Sequence, residues 1–442
     1  MDKPIAKPLD ISHAPADADA AVQGSVPASN GYYVVLILAL VATIGGIDRT
    51  LISTVAEPIK HEFGLSDSAL GIVTGLVFAV SFAACGIPIG LLIDRVQRTK
   101  LIAAMLALWS ILTAVTGFAR SYGALALARV GVGAAESGGA ATAMSIITDY
   151  FPPARRGSAL SLYYLSTPTG VAFGFTFGGL IAQHLGWRAA FFLAGVPGLV
   201  LALLILLTVR EPVRGKYDAP TQDTDASSPG LLAGIACLFR IRPLLYLLIG
   251  GVLVTAAQAG LSSFATPFLM RVHHITISQA GFALGIAQLV GGYCGVLSGG
   301  ILTDRVAQRS PQAPALITAA MIWLAAPIAI VALLLDNWVA AVVVWTGQLF
   351  LNFCYYGPHF ATYMSLCPPR QRGTVASIQM VLLTLVGYGV GPVLVGTASD
   401  LFKAGGATDP LRWGMVVTAS IFLIAGFFYL SAARAIRRGA TA

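Results

Sequence analysis

The chain contains twelve apolar stretches separated by short charged segments, each long enough to cross a membrane as a helix, which takes about 20 apolar residues. Hydrophobic residues make up 57% of the 442 residues and charged residues only 10%, whereas soluble proteins carry roughly 25% charge. So few charges cannot form the polar surface of a water-soluble protein, and the chain must therefore be solvated by lipid. This composition excludes a soluble enzyme, a disordered chain and, despite the net charge of +8, a nucleic-acid-binding protein.

The apolar stretches predict an all-α membrane protein with twelve transmembrane helices. Strands of a membrane barrel need only about 9–11 residues and alternate in polarity. Hydrocarbon also requires every backbone polar group to be paired within the protein, which helices achieve segment by segment. We name the predicted spans TM1 to TM12 in chain order: residues 32–56, 68–93, 100–119, 121–150, 157–184, 187–209, 243–270, 278–303, 311–335, 337–366, 372–402 and 411–434.

Two long polar segments divide the chain into domains. Residues 1–30 are rich in Ala, Pro and Asp and predict a flexible cytoplasmic tail, and residues 211–241 predict a cytoplasmic linker. The linker separates an N-terminal six-helix bundle, residues 31–210, from a C-terminal six-helix bundle, residues 242–438. Residues 439–442 form a short C-terminal tail.

The distribution of Lys and Arg predicts the orientation in the membrane. Nineteen of them lie in the tails, the linker and the segments that follow TM2, TM4, TM8 and TM10, and six lie at the opposite ends of the helices. Because positively charged loops stay in the cytoplasm, both termini are expected there. We expect the membrane to be a bacterial inner membrane.

The two halves repeat each other. SALGIVTGLVFAVSFAACGIPIGLLIDR (68–95) matches SQAGFALGIAQLVGGYCGVLSGGILTDR (278–305) at an offset of 210, and FPPARRG (151–157) matches CPPRQRG (367–373) at an offset of 216. Both matches end on the predicted cytoplasmic side, so the repeats are parallel and related by an axis along the membrane normal. Two parallel six-helix repeats predict a transporter whose binding site lies at the midplane, between the halves.

The ends of TM2 and TM8 carry a family motif. GLLIDRVQR (90–98) and GGILTDRVAQR (299–309) resemble the GxxxDRxxR signature of the major facilitator superfamily. This resemblance covers residues 31–438 and implies the major facilitator fold. It also implies that Asp94, Arg95, Asp304 and Arg305 form a cytoplasmic gate, whose charge-assisted contacts hold the inner side closed.

Three further motifs narrow the resemblance. IDR (47–49) in TM1, ARVGVGAAES (128–137) in TM4 and VREPVRG (209–215) after TM6 are similar to the Spinster family of lysolipid and sphingolipid transporters. The anion:cation symporters of the same superfamily share the charged patterns of TM1 and TM4. In TM5, Phe175 stands where the superfamily's antiporter signature has a proline, so symport and antiport both stay open.

Only four charged residues fall well inside a predicted span: Asp48, Arg49, Arg129 and Glu136. Such groups cost about 2.5–3.5 kcal/mol each on insertion scales, so they mark a pathway or pair with one another. We predict that Asp48 and Glu136 exchange protons and that Arg129 stabilises their ionised forms. The alternative is a static Asp48–Arg129 pair that holds TM1 against TM4, and the role of Arg49 stays open.

The second half has no such charges but offers polar and aromatic side chains. Trp345, Asn352, Tyr356 and His359 share one face of TM10, and Gln258 lies on a polar face of TM7. With Arg129 on the opposite wall, these five residues would suit an amphiphile with an anionic headgroup. They would equally serve as helix–helix hydrogen bonds, and a lone buried histidine is more often neutral than titrating.

Together, the residues and the resemblance predict a proton-coupled secondary transporter that works by alternating access. The expected substrate is an amphiphilic anionic lipid such as a lysophospholipid or sphingosine-1-phosphate, and the alternative is a symporter or exchanger of small organic anions. We expect no enzyme, since HExxH, GxSxG and P-loop motifs are missing from the sequence. No metal or cofactor is expected beyond the coupling proton, and the chain should work as a monomer that contacts its substrate and membrane lipid.

Overall fold

The computed structural model describes residues 28–93, 95–217, 231–307, 310–368 and 371–440, and within these residues all regular secondary structure is helical. The spans observed are Ala28–Thr54 (TM1), Asp67–Ile93 (TM2), Arg98–Thr116 (TM3), Tyr122–Glu136 and Gly139–Tyr150 (TM4), Pro153–Leu185 (TM5), Trp187–Thr208 (TM6), Arg242–His273 (TM7), Ile277–Ala307 (TM8), Ala313–Leu334 (TM9), Trp338–Leu366 (TM10), Arg372–Ala404 (TM11) and Pro410–Ala440 (TM12). The predicted all-α membrane fold is confirmed.

Eleven of these spans are long and apolar enough to cross a membrane. TM4 is the remaining span, because it is divided into two shorter helices at Ser137 and Gly138. The division comes directly after Glu136, one of the four interior charges. Outside the spans, Ala56–Phe63 follows TM1 and Leu231–Arg240 forms a helix within the segment expected to be a linker.

The ends of TM1 and TM6 lie close to two of the predicted domain boundaries. TM1 begins at Ala28, two residues before the expected end of the N-terminal tail, and TM6 ends at Thr208. Residues 1–27, 218–230, 441 and 442 lie outside the described residues, as does Asp94 of the expected gate. The tail, linker and domain boundaries therefore stay predictions.

The two halves pack together mainly through TM5 with TM8 and TM2 with TM11. We call the end of the bundle where TM1 begins and TM12 ends the inner side, following the predicted orientation, and the other end the outer side. Glycines allow the helices to approach closely: a Cβ at Gly71 would collide with the carbonyl oxygen of Pro392, and one at Gly281 with that of Phe175. These contacts close the outer side.

The inner side is open. The inner parts of TM4 and TM5, Gly139–Tyr150 and Pro153–Tyr164, make their main contacts with elements of the N-terminal half. The inner parts of TM10 and TM11, Tyr356–Leu366 and Arg372–Leu382, make theirs with elements of the C-terminal half. The inner ends of the two halves thus make few contacts with each other within the described residues, which is the arrangement of an inward-open state, and we call the space between them the inner opening.

A buried ionic cluster ties three helices of the N-terminal half together at the inner side. Glu211, just after TM6, accepts hydrogen bonds from the Arg98 guanidinium (Nε–Oε1 2.9 Å) and from the backbone N–H and hydroxyl of Thr99 (2.8 and 2.9 Å to Oε2). Arg98 also pairs with Asp149 of TM4 and is almost fully buried. This cluster gives the VREPVRG segment a structural role: its glutamate caps the first turn of TM3.

A Glu211→Gln substitution should lower the melting temperature, because a neutral amide cannot replace a charged acceptor of three hydrogen bonds; the expected cost is about 1.5–3 kcal/mol. Burial raises the pKa of Glu211, but the hydrogen bonds from Thr99 and Arg98 outweigh it and lower the pKa below its ordinary value. The stabilisation is therefore present above the pKa of the unfolded chain, about 4.3, and is lost as the pH falls through the lower folded value. Melting curves from pH 7 to pH 3 should show a smaller acid-induced loss in the variant than in the native protein.

Candidate functional site

Asp48 and Arg129 form a buried ion pair between TM1 and TM4. The Arg129 Nη1 donates to Asp48 Oδ2 over 3.0 Å, and the two residues are 1% and 2% exposed. Thr113 of TM3 donates its hydroxyl to the other carboxylate oxygen at 2.6 Å, and the Phe78 ring of TM2 lies 5.1 Å from the guanidinium carbon. Four helices therefore hold this pair, and the predicted proximity of Asp48 and Arg129 is observed.

Arg49 and Glu136 form a second pair between the same two helices. The Arg49 Nη2 lies 3.2 Å from Glu136 Oε1, and the Arg49 side chain is 47% exposed whereas that of Glu136 is only 7% exposed. The other carboxylate oxygen, Oε2, is buried and has no hydrogen-bond partner among the described residues. Glu136 thus has one oxygen held by a cation and one free to accept a proton.

The two ion pairs involve consecutive residues of TM1. Asp48 and Arg49 are adjacent, so their side chains point about 100° apart around the helix, and each meets a residue of TM4 of opposite charge. The pairing of Arg49 with Glu136 could have been predicted from the sequence. TM1 and TM4 each carry one acidic and one basic interior residue, so two ion pairs between them account for all four charges. Thr113 carried no signal, because its spacing from Asp48 along the chain has no periodic meaning.

The geometry suits proton-dependent switching. Each carboxylate is stabilised in its ionised form by one arginine, and each is buried where hydration is poor. Protonation of either carboxyl would remove one charge and leave its arginine free to bind another anion. The exposure of Arg49 means that this second pair, rather than Arg129, faces the inner opening.

A Gly45→Ala substitution should disturb only the second pair. A Cβ at this position would lie 2.6 Å from Glu136 Oε1, so the carboxylate must rotate away from Arg49. We expect the pH dependence of transport to shift while the melting temperature changes little, because the contact affects a side-chain tip. The matched control is Gly347→Ala, whose Cβ would have its nearest neighbour 3.9 Å away, and pH-dependent uptake into proteoliposomes is the measurement.

The polar residues of TM7 and TM10 lie across from these pairs but do not form one continuous surface. The Gln348 amide donates to Gln258 Oε1 over 2.9 Å, and the Trp345 ring packs 6.2 Å from that of Phe268. Asn352 is buried, and its amide nitrogen has no hydrogen-bond partner among the described residues. A cavity of only about 10 Å³ lies here, room for about one water molecule, and it is lined by Phe175, Gln258, Ser262, Ala265, Leu284, Gln288, Trp345 and Leu349.

TM10 is interrupted at Tyr355, and the next residues belong to an aromatic cluster. Tyr356 is half-buried, with its ring 4.7 Å from that of Tyr355 and stacked 6.1 Å from that of Phe360. His359 is 1% exposed and has both ring nitrogens occupied: the Gln379 amide donates to Nε2 at 2.7 Å, and Nδ1 lies 2.9 Å from the Tyr429 hydroxyl. The geometry favours the neutral, hydrogen-bonded histidine over a titrating one, because Nε2 acts here as an acceptor.

An ionic cluster at the outer side, which sequence reasoning missed, joins the two halves. Arg271 at the end of TM7 pairs with Glu57 (2.6 Å) and with Asp67 at the start of TM2 (2.9 Å). Ser399 of TM11 donates to Asp67 at 2.6 Å, and the Asp400 carboxylate accepts the backbone N–H groups of Asp67 and Ser68. We call this cluster the outer lock, and Lys60 also pairs with Asp67 within it.

Sequence analysis assigned the charges at helix ends to topology or to the inner gate, and the outer lock shows that this was incomplete. No spacing rule connects Asp67 with Arg271, which lie 204 positions apart in the chain. At the inner side, Arg95, Asp304 and Arg305 are exposed and make no ion pair within the described residues. The structure therefore brings together the charges of the outer side, and the inner gate, whose Asp94 lies outside the described residues, stays a prediction.

Comparison with known proteins identifies similar sequences and folds. The family profile described as Major Facilitator Superfamily matches residues 38–392. An MFS-type efflux pump of Mycolicibacterium smegmatis is 32% identical over 91% of this chain and 92% of its own length. The sphingosine-1-phosphate transporter SPNS2 of Danio rerio is 25% identical, with 90% of this chain and 83% of that protein covered.

A solved structure shares the fold. It is a bacterial homolog of the human lysosomal transporter Spinster in an inward-facing, unoccupied state, with a TM-score of 0.83 and 31% sequence identity. The match covers 94% of this chain and 99% of that one. The inward-open arrangement deduced above from the packing of the helices agrees with the conformation of this similar protein.

Proposed function

This chain belongs to the major facilitator superfamily and is Spinster-like, and we propose that it couples proton movement to the transport of an amphiphilic anionic lipid, such as a lysophospholipid or sphingosine-1-phosphate. That it is an integral membrane transporter and not an enzyme follows from its family. The observation that carries the proposal is the double acid–base arrangement of TM1 and TM4, with one sealed pair and one pair that faces the inner opening.

In this proposal, Asp48 and Glu136 carry the protons. The buried Oε2 of Glu136 has no hydrogen-bond partner among the described residues, and Oε1 contacts the exposed Arg49, so Glu136 is the first of the two carboxyls to exchange a proton with the inner solution. Asp48 is sealed by Arg129, Thr113 and the surrounding helices, and it exchanges only when the helices of TM1 and TM4 rearrange. Proton occupancy is thereby coupled to conformation.

Arg49 makes the first contact with the substrate headgroup. It is the cation of the two pairs that is accessible from the opening, whereas Arg129 is fully enclosed. Protonation of Glu136 releases Arg49 to bind a phosphate, and Arg129 becomes available only if Asp48 is protonated as well. The rest of the amphiphile would then contact the C-terminal half, through Gln258, Trp345, Asn352 and Tyr356. His359, which is buried behind them, would support this surface.

The relatives support the lipid substrate and also raise the question of direction. The zebrafish protein carries the name of a sphingosine-1-phosphate transporter, which supports an anionic lipid. The mycobacterial relative is named an efflux pump, which favours export over uptake for this chain. Protons serve as the only coupling ion in this proposal, and one chain suffices because the opening lies between its own two halves.

A thermal-shift experiment tests the substrate class. The purified protein is melted with lysophosphatidylglycerol, sphingosine-1-phosphate, neutral lysophosphatidylcholine or citrate, at several pH values. A ligand at 100 times its Kd stabilises the folded state by about 2.7 kcal/mol, and we expect this for the two anionic lipids. The Arg49→Gln variant should weaken their binding by roughly 10- to 100-fold, since a charged hydrogen bond is lost.

The matched control is Arg155→Gln, which removes an exposed cation of the same half near the inner start of TM5. Equal shifts with neutral and anionic lysolipids would contradict a headgroup role for Arg49. Stabilisation by citrate alone would instead favour the symporter or exchanger of small organic anions.

A further inference from the structure

The helix Leu231–Arg240, which precedes TM7, is apolar on two faces. One face, with Gly234, Cys237 and Leu238, is buried against the rest of the protein. The other face leaves Leu232 81% exposed and Phe239 68% exposed. We call this element the linker helix. Leaving a large apolar side chain in water rather than burying it costs on the order of 1.5–3 kcal/mol. The exposed face of the linker helix therefore requires an apolar environment.

The position of the linker helix supplies that environment. It ends at Arg240, and TM7 begins only two residues later at Arg242, so its end lies where a transmembrane helix enters the bilayer. A helix held at this depth places its exposed apolar face at the boundary between headgroups and acyl chains. Water-facing residues are not needed on that face, which is consistent with its composition, LLAGIACLFR.

Two cations flank the exposed apolar face. Arg240 and Arg242 are both exposed, and neither makes an ion pair with any residue that the structure describes. At the surface of a bilayer such cations attract anionic headgroups by about 1 kcal/mol each. The apolar face and the adjacent positive charge therefore complement the surface of an anionic membrane.

The buried face connects this membrane contact to TM11. Gly234 packs against the inner part of TM11, where a Cβ would come within 2.6 Å of Thr374 and 3.0 Å of Ile378. The inner part of TM11 makes extensive contact with the linker helix and little with the other half. Any force that fixes the linker helix therefore also restrains the inner end of TM11.

We propose that the linker helix binds the anionic surface of the inner leaflet and anchors the inner end of TM11 to it. Leu232 and Phe239 insert among the acyl chains, and Arg240 and Arg242 bind the lipid phosphates. This makes the inward-open state sensitive to the anionic lipid content of the membrane. The inference concerns a surface separate from the charged pairs of TM1 and TM4 and does not depend on the transported substrate.

Hydrogen–deuterium exchange on the full-length protein tests this. The protein is placed in nanodiscs of phosphatidylcholine alone or with phosphatidylglycerol, and exchange is followed for residues 231–240 and 372–382. We expect phosphatidylglycerol to slow exchange in both segments. The double variant Arg240→Gln/Arg242→Gln should reduce this lipid-dependent protection on the order of tenfold, and Leu232→Ser/Phe239→Ser should reduce it in both lipids.

The control variant Arg155→Gln removes an exposed cation from the other half and should leave the protection unchanged. Identical exchange with and without phosphatidylglycerol would overturn the anionic contact. Protection of residues 231–240 without any change at 372–382 would overturn the anchoring of TM11. Full protection by soluble short-chain phosphatidylglycerol in detergent would point to a single-lipid pocket and overturn the surface mode of binding.

Discussion

An Asp48→Asn variant will fold with a lower melting temperature and will no longer drive transport with a pH gradient. The amide still accepts the hydrogen bond of Thr113, but it leaves the Arg129 guanidinium without an anion at a site that is 1% exposed. Removing one partner of a buried ion pair typically costs about 3–5 kcal/mol. The loss of proton coupling follows because an amide cannot bind and release a proton in this pH range.

The double variant Asp48→Asn/Arg129→Gln separates coupling from a structural lock. Without the arginine, the buried site is neutral, so most of the lost stability should return. If the pair only holds TM1 against TM4, pH-driven transport should return together with the melting temperature. If Asp48 carries a proton, stability returns and transport does not. Melting curves and uptake into proteoliposomes under an imposed pH gradient give the two readouts.

An Arg271→Ala variant will shift the protein away from the inward-open state. The substitution leaves Glu57 and Asp67 buried at the outer side, with Lys60 beside Asp67 and the exposed His61 beside Glu57. Opening the outer side would hydrate both carboxylates. The free-energy cost of the unpaired charges therefore falls mainly on the inward-open state, in which the outer side is closed. With Lys60 still present we expect about 2 kcal/mol, which is roughly a 30-fold change in the ratio of the two states.

Hydrogen–deuterium exchange measures this shift without attached probes. In Arg271→Ala, exchange should rise at the outer ends of TM2 and TM11, residues 67–76 and 389–400, and fall at the inner ends of TM4 and TM5. The matched control is Arg412→Ala, because Arg412 pairs with Asp336 and Asp409 inside one half and does not bridge the two. An unchanged exchange pattern in Arg271→Ala, or an equal effect in the control, would show that the outer lock does not set the conformation.

The outer lock and the predicted inner gate together account for the state observed. At the outer side, five charged groups meet across the half interface, and the glycines of TM2 and TM8 allow backbone contact beneath them. At the inner side, Arg95, Asp304 and Arg305 are exposed and make no ion pair within the described residues. Alternating access would exchange these arrangements, with the inner gate forming as the outer lock breaks.

The sequence predicted the spans well because their physical cause is local. A bilayer requires about 20 apolar residues for each helix, whatever the neighbours are, and most observed helices agree with the predicted ranges within several residues. TM4 differs because Ser137 and Gly138 interrupt it, and a hydropathy pattern does not report such an interruption. The helix Leu231–Arg240 was missed because it lies beside the polar segment that suggested a linker.

The candidate site was predicted in its members but not in its pairings. The high cost of interior charge identified Asp48, Arg49, Arg129 and Glu136 as functional candidates from the sequence alone. Which acid meets which base depends on the rotation and crossing of TM1 and TM4, which periodicity within one helix does not specify. The accessibility of Arg49 and the enclosure of Arg129 likewise follow from the packing of TM2 and TM3 around the pair.

By itself, the sequence determined that this protein is a helical membrane transporter with two parallel halves and a small set of interior charges. It could do so because the scarcity of charge, the length of the spans and the repeated motifs are properties of the chain, independent of how its helices meet. Only the tertiary structure decided which side is closed, which charges close it and which arginine faces the opening. Those outcomes rest on contacts such as Asp67 with Arg271, formed between residues 204 positions apart, and such contacts exist only once the helices have packed.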